Sequence, residues 1–200
     1  RDDLVTGVQT CALPIYLSVT SPQKLSDIVN LQGNRTGKTA LHYAVTQGFP
    51  SIVNALVKIP GIDINIRDYN GETPLHCSFM PECPVSIPIV LIDSGADVRI
   101  PDNKNFTPLN MAMLFWKIDW FVPMVLEYFP DYDIHMRDYQ GFDMLRWAVE
   151  CQDPILVEKL LEMGGNPDSE DNEGISTRNS GYARNHKKIS ELLGVDFRND

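Results

Sequence analysis

One short pattern of polar and apolar residues recurs along this chain. It consists of a small polar residue, one intervening residue, and then Leu or another large side chain. Four stretches align on that order, GKTALHYA (37–44), GETPLHCS (71–78), NFTPLNMA (105–112) and GFDMLRWA (141–148), with a weaker copy, GISTRNSG (174–181). The polar residues, Thr39, Thr73, Thr107, Asp143 and Ser176, lie 34, 34, 36 and 33 residues apart. Because Thr, Asp and Ser favour helix N-caps, each copy predicts a short helix that begins there.

A second apolar segment with helical spacing follows most of these copies. These segments are SIVNALVKI (51–59), VSIPIVLIDSGAD (85–97), ILVEKLLEMGGN (155–166) and KKISELLG (187–194). Before the copies lie loops rich in turn residues, with Gly where a positive φ is needed. We call them the tip loops: RDYNG (67–71), PDNKN (101–105), RDYQG (137–141) and EDNEG (170–174). The pattern therefore predicts a repeated unit of loop, helix, turn and helix.

The period and the TPLH sequence at 73–76 resemble the ankyrin repeat, a unit of about 33 residues. The resemblance covers roughly residues 24–194. It implies an all-α solenoid of helix–turn–helix units joined by β-hairpin loops. In the family the box His bridges neighbouring turns through its ring nitrogens, and His42 and His76 match it. Asn110 and Arg146 replace that His, so we expect those two bridges to be altered or absent.

The repeat pattern also divides the chain. We expect a remnant of a preceding repeat, four repeats, a C-terminal capping repeat and a tail, at residues 16–36, 37–70, 71–104, 105–140, 141–173, 174–194 and 195–200. In the last copy Arg178 takes the place of the buried Leu. A terminal repeat tolerates that change because its outer face meets water.

Residues 1–15, RDDLVTGVQTCALPI, match no part of the repeat. They lack the basic and then apolar layout of a signal peptide and carry acids at positions 2 and 3. VTGVQTCALPI is similar to the in-frame translation of a common short-read sequencing adapter. We therefore expect residues 1–15 to be a disordered sequencing artefact, and the natural protein to continue upstream of about residue 16. On this interpretation the chain is a monomeric segment of a larger protein.

Composition narrows the function classes. The net charge of −10 argues against nucleic-acid binding, which needs Lys and Arg against phosphates, and against anionic membrane surfaces. No apolar run approaches the roughly 20 residues of a spanning helix. The four cysteines are too sparse for a disulfide scaffold or a zinc module, which favours a reducing compartment, cytoplasm or nucleus.

The candidate chemical motifs have simpler explanations in the repeat. GNRTGKT (33–39) is one residue short of a phosphate-binding P-loop and lacks a preceding hydrophobic strand. His76, Cys77 and Cys83 lack the second pair of ligands that would complete a tetrahedral metal site. No histidine belongs to a recognisable nucleophile motif. We therefore expect no catalysis, no metal and no cofactor.

Residues that the fold does not require are the candidates for binding. In ankyrin-like arrays the hairpin tips and the exposed side of the first helix line a concave surface. The matching positions here are Tyr69, Asn70, Glu72, Met80, Lys104, Phe106, Leu114, Phe115, Tyr139, Gln140, Phe142 and Glu150. Aromatic side chains at an interface centre are typical hot spots, and Tyr69 and Tyr139 lie in identical RDY-x-G loops. Phe106 and Phe142 could instead pack on the adjacent hairpin.

The resemblance predicts a protein–protein interaction scaffold whose partner, given the charge of −10, is basic or mixed in character. Two alternatives stay open: a recruiting or regulatory segment of a larger enzyme, ligase adaptor or channel, and an intramolecular spacer. Family members are sometimes hydroxylated on a hairpin Asn two residues after an acid. Asn65 after Asp63 fits that pattern, and a structural Asn in a turn is the other explanation.

Overall fold

The computed structural model describes residues 22–114 and 118–197. Residues 1–15, with the adapter-like segment, and the candidate binding residue Phe115 lie outside these ranges. The described residues form eleven α-helices and one 3₁₀ helix, Thr177–Asn179. The α-helices are α1 Pro22–Val29, α2 Ala40–Thr46, α3 Pro50–Leu56, α4 Pro74–Cys77, α5 Ser86–Asp93, α6 Pro108–Leu114, α7 Ile118–Tyr128, α8 Met144–Glu150, α9 Pro154–Glu162, α10 Gly181–Asn185 and α11 Lys187–Leu193.

The first helix of each repeat begins where its N-cap residue predicts. The side chain of Thr39 accepts from the backbone of α2, and Asp143 Oδ1 accepts from the Arg146 amide at 2.9 Å. Pro74 and Pro108 are the first residues of α4 and α6, where a missing N–H costs no helical bond. The predicted N-caps at Thr39 and Asp143 are therefore confirmed.

The helices form two layers. The first helices α2, α4, α6, α8 and α10 contact one another in chain order, while α3 packs on α5 and α9 packs on α11. Between the layers runs a continuous apolar core, which includes the first-turn leucines Leu41, Leu75, Leu109 and Leu145, none more than 1% exposed. This is the predicted all-α solenoid, stabilised by contacts between neighbouring repeats.

Each tip loop is a tight turn closed by two backbone hydrogen bonds. In the first, the Asp68 amide donates to the Glu72 carbonyl at 2.8 Å, and in the next Asp102 donates to Phe106 at 2.7 Å. Within the described residues, β pairing is limited to one isolated antiparallel bridge, between Glu170 and Ser176. The β-hairpins expected from the resemblance are therefore reduced to turns.

Backbone bonds also join each tip loop to the next. The amides of Tyr69, Asn103, Tyr139 and Asn172 donate to the preceding loop at 2.9, 3.0, 2.9 and 3.0 Å. At Gly71 this spacing leaves no room for a side chain: its φ is +82°, and a Cβ there would lie 2.7 Å from the Asn103 nitrogen. The tip loops thus form one continuous, hydrogen-bonded row.

The last repeat departs from the others at its start. The 3₁₀ helix Thr177–Asn179 stands where earlier repeats begin an α-helix. Arg178, at the position of the buried Leu, is half-buried and its Nη2 donates to Asp168 Oδ2 at 3.0 Å. A charged side chain is accommodated here because it reaches a carboxylate at the edge of the array.

Candidate partner-binding surface

Two histidines fix the tip loops to the helices beneath them. The Thr73 amide donates to His76 Nδ1 at 3.0 Å, and His76 Nε2 donates to the Phe106 carbonyl of the next repeat, also at 3.0 Å. His42 bridges Thr39 and the Glu72 carbonyl in the same way. Since Nδ1 accepts from an amide, both rings are neutral, and burial lowers the pKa of each.

The other two repeats replace the bridge. Asn110 Oδ1 accepts from the Thr107 amide at 2.9 Å, so the cap survives the loss of the imidazole. Arg146 reaches the following tip loop (170–174) by charge: its Nη2 lies 3.4 Å from Asp171 Oδ2, and its Nε donates to Glu150 at 2.8 Å. As expected, the bridge at Arg146 is altered: an ion pair replaces the imidazole bond.

Below the tips lies an aromatic cluster made of Phe106, Tyr139, Phe142 and Trp147. The Phe106 ring centroid lies 5.7 Å from that of Tyr139 and 5.6 Å from that of Trp147. Phe106 is only 6% exposed, so it packs on the adjacent hairpin, as the alternative interpretation has it. Trp147, which sequence reasoning did not select, also donates from Nε1 to Asp138 Oδ2 at 2.9 Å.

Tyr69 and Tyr139 are far more exposed than Phe106 and Trp147. They are 59% and 55% exposed, although their backbone amides are held by the preceding tip loop. Met80, in the bend after α4, is 37% exposed, and Leu114, the last residue of α6, is 41% exposed. The remaining candidates are Asn70 and Lys104, which are exposed, and Glu72, Gln140, Phe142 and Glu150, which are half-buried.

A cavity of about 360 Å³ lies where three tip loops meet α6. Its walls bring together six of the residues that the sequence selected: Asn70, Glu72, Lys104, Phe106, Leu114 and Tyr139. Asp102 and Met111 also line it and were not foreseen. A second cavity of about 290 Å³ lies on the other side of Tyr139, beside Gln140, Phe142 and Arg146. Candidate residues from four repeats therefore line these two cavities between the tip loops and the first helices, whereas Tyr69, Met80 and Glu150 line neither.

The first cavity is acidic. Burial raises the pKa of the Glu72 carboxyl, the nearby carboxylates Asp68 and Asp102 raise it further, and Lys38 opposes them. The Asp102 Oδ1 accepts from the Lys104 amide at 2.8 Å, which fixes its orientation. The Lys104 ammonium lies 5.7 Å from the centroid of the Tyr139 ring.

The thiols of Cys77 and Cys151 are poor nucleophiles. Burial raises the pKa of each to about 11, so both are protonated at neutral pH. Among the described residues, no three His, Cys, Asp or Glu side chains are grouped so that they could hold a metal ion. Nor does any helix in the described ranges have the length and apolar character to cross a bilayer.

Asn65 links two repeats. Its Oδ1 accepts from the Asp97 amide at 2.9 Å, while its Nδ2 donates to the Gly95 carbonyl at 3.3 Å. Asn30, one repeat earlier, makes the equivalent bonds to the repeat that follows it, including one from the Asp63 amide at 2.9 Å. This is the geometry of a structural Asn, and hydroxylation of Asn65 stays a prediction.

Comparison with known proteins agrees with the repeat geometry. Residues 17–102 match the family model described as ankyrin repeats, three copies. Over 51 residues the chain is 39% identical to protein phosphatase 1 regulatory subunit 12A of Mus musculus and to that of Rattus norvegicus. The aligned segment makes up 26% of this chain and 5% of each of those proteins. Over 39 residues it is 51% identical to an ankyrin repeat protein of Rickettsia bellii (strain RML369-C), 20% of this chain and 40% of that protein. The chain thus aligns with a small part of these relatives.

Proposed function

Because this chain is an ankyrin-repeat protein, we propose that it is a non-catalytic interaction module that binds a partner protein on the concave face of the array. Ankyrin repeats mediate protein–protein interaction, which makes recognition the expected role. The binding surface is the groove between the tip loops and the first helices. Its central contacts are Tyr69 and Tyr139.

The observation that carries this proposal is the exposure of these two tyrosines. Each leaves more than half of its side chain in water while its backbone is fixed in the row of tip loops. More than half of each tyrosine is left for a partner to cover, and Tyr is enriched among interface hot spots because it buries a large area at low entropic cost. Since the loops are ordered in advance, little conformational entropy is lost on binding.

Charge supports the class of partner. The chain carries a net charge of −10, and Glu72 and Asp102 line the larger cavity of the groove. A basic or mixed partner surface would be attracted to this groove, and a strongly acidic one would be repelled. We propose such a partner.

Affinity capture tests the proposal. The purified chain, the Tyr69→Ala/Tyr139→Ala variant and a matched control are used as bait in a lysate, and captured proteins are quantified by mass spectrometry. The control is Phe49→Ala/Ile155→Ala, which removes side chains that are 50% and 79% exposed at the second helices. We expect one set of partners to be lost with the tyrosine variant alone. Equal capture by all three baits refutes the concave-face assignment.

A second candidate function is a regulatory or recruiting segment of a larger protein. It is favoured by the phosphatase regulatory subunits, of which the matched region makes up 5%. Sequencing the gene from genomic DNA tests this candidate. A catalytic domain or membrane spans encoded in the same reading frame support it, and a reading frame of repeats alone contradicts it.

A further inference from the structure

We propose that the 360 Å³ cavity beside α6 receives an arginine side chain of the partner protein. This inference rests on the proposed function, because it names the chemistry that the same groove recognises. The cavity is within the size range of specific ligand pockets and combines an apolar floor, an acidic wall and an aromatic rim.

The floor suits the aliphatic stem of a long cationic side chain. Phe106, Met111 and Leu114 line the cavity from the tip and from α6. Leu114 is 41% exposed, so a ligand that covers it removes apolar surface from water. Long cationic side chains bury their methylene stems in this way while the charged group remains near polar partners.

The wall supplies negative charge that the fold compensates only in part, through Lys38 and a hydrogen bond from Asn70. Among the described residues, the Glu72 carboxylate takes part in no ion pair. Its neighbours include the carboxylates of Asp68 and Asp102, which raise its pKa together with burial. A cation that enters the cavity relieves this repulsion, whereas a neutral side chain leaves it unchanged.

The rim favours a guanidinium over other cations. The Tyr139 ring already has the Lys104 ammonium 5.7 Å from its centroid, so its face is open to a positive charge. A guanidinium can stack on that face and bond a carboxylate through two parallel N–H groups, which an ammonium cannot do. Lys104 is exposed, so its flexible side chain can move away from the Tyr139 ring when a guanidinium binds there.

A peptide titration tests the assignment. The probe is an acetylated, amidated pentapeptide with arginine between pairs of alanines, and its control carries citrulline, which has nearly the same shape without the charge. Amide shifts of the ¹⁵N-labelled chain are followed at low salt up to about 10 mM peptide, because one anchored side chain gives affinities near about 1 mM. We expect saturable shifts at Lys104, Met111 and Leu114 with the arginine peptide and not with the citrulline peptide.

Charge variants separate the cavity from general attraction to an acidic protein. Glu72→Gln should weaken the arginine peptide about tenfold, since a bond to a charged group is lost. Lys104→Gln should tighten binding, because it removes a competing cation. Two controls lie at exposed positions outside the cavity lining. Glu158→Gln changes the net charge as Glu72→Gln does, and Lys58→Gln changes it as Lys104→Gln does. Both should leave the affinity within about twofold. Circular dichroism confirms that each variant is folded.

Three results would overturn the inference: equal binding of the citrulline peptide, shifts located away from the cavity, or equal effects of Glu72→Gln and Glu158→Gln. Absence of saturable shifts up to the highest peptide concentration overturns it as well. If partner capture still depends on Tyr69 and Tyr139 in that case, the proposed function stands and the arginine assignment alone fails.

Discussion

The replacement His76→Asn tests how the repeats are joined. His76 does two things: its Nδ1 accepts from the Thr73 amide, and its Nε2 donates to the Phe106 carbonyl. The next repeat has Asn110 at the same position, where Oδ1 accepts from the Thr107 amide. Asparagine therefore preserves the cap, removes the bond between repeats and removes the titratable ring.

The expected cost at neutral pH comes from the Phe106 carbonyl, which loses the His76 donor and keeps the Asp102 amide. Loss of one such hydrogen bond costs about 0.5–1.5 kcal/mol. The pH dependence follows from burial, which lowers the pKa of His76 from 6.5 in the folded state. Above pH 6.5 neither state binds the proton, and stability is fully present. Below it the unfolded chain takes up a proton that the folded chain does not, so stability falls as pH falls, by at most about 1.4 kcal/mol per pH unit for each such ring.

Urea unfolding followed by circular dichroism at pH 7.5 and 5.5 measures both quantities. The wild-type chain has two such rings, His42 and His76, and the variant retains one. We expect the variant to be less stable at pH 7.5 and to lose up to about 1.4 kcal/mol less than wild type on acidification. The carboxylates and the remaining histidines are common to both proteins and cancel in this difference. Equal acid sensitivity of wild type and variant would refute the account of a neutral, bridging imidazole.

Two further substitutions test the tip loops. Gly174 has φ +77° and a Cβ there would meet nothing within 4 Å, so Gly174→Ala should lower the free energy of unfolding by about 1–2 kcal/mol. Gly71 has φ +82° and a Cβ there would also lie 2.7 Å from the amide nitrogen of the next loop, so Gly71→Ala should cost clearly more. Equal melting temperatures of the two variants would contradict the close packing of the loops. Trp147→Phe keeps most of the ring packing but leaves Asp138 Oδ2 without its indole donor, so urea unfolding should show a loss of about 1–3 kcal/mol, and an unchanged midpoint would rule that bond out as a contributor.

Local signals made the helices predictable from sequence. An N-cap such as Thr39 or Asp143, a Pro in the first turn and a Leu at the next position determine where a helix begins without help from distant residues. The same local chemistry identified His42 and His76 as bridges once the repeat was recognised. The helices and the tip-loop turns were therefore predictable. The strand pairing of full β-hairpins, which the resemblance implied, is not seen in the described tip loops beyond one isolated bridge.

The candidate site was less predictable because its geometry depends on neighbouring repeats. Phe106 lies at a tip position, yet it packs against Tyr139 of the next tip loop and Trp147 of α8 and is buried. Nothing within the Phe106 loop encodes those rings. Met111 lies on α6 and Asp102 in the tip loop before it, and both line the cavity. The acidic wall and the apolar floor exist only once these elements are packed together.

The most direct test of the central claim is the affinity of the purified chain for the partner that capture identifies. Isothermal titration calorimetry should show binding that weakens at least about a hundredfold in the Tyr69→Ala/Tyr139→Ala variant, since two hot-spot rings contribute about 2 kcal/mol or more each. The Phe49→Ala/Ile155→Ala control should bind as wild type does. An unchanged dissociation constant in the tyrosine variant would contradict recognition through the concave face.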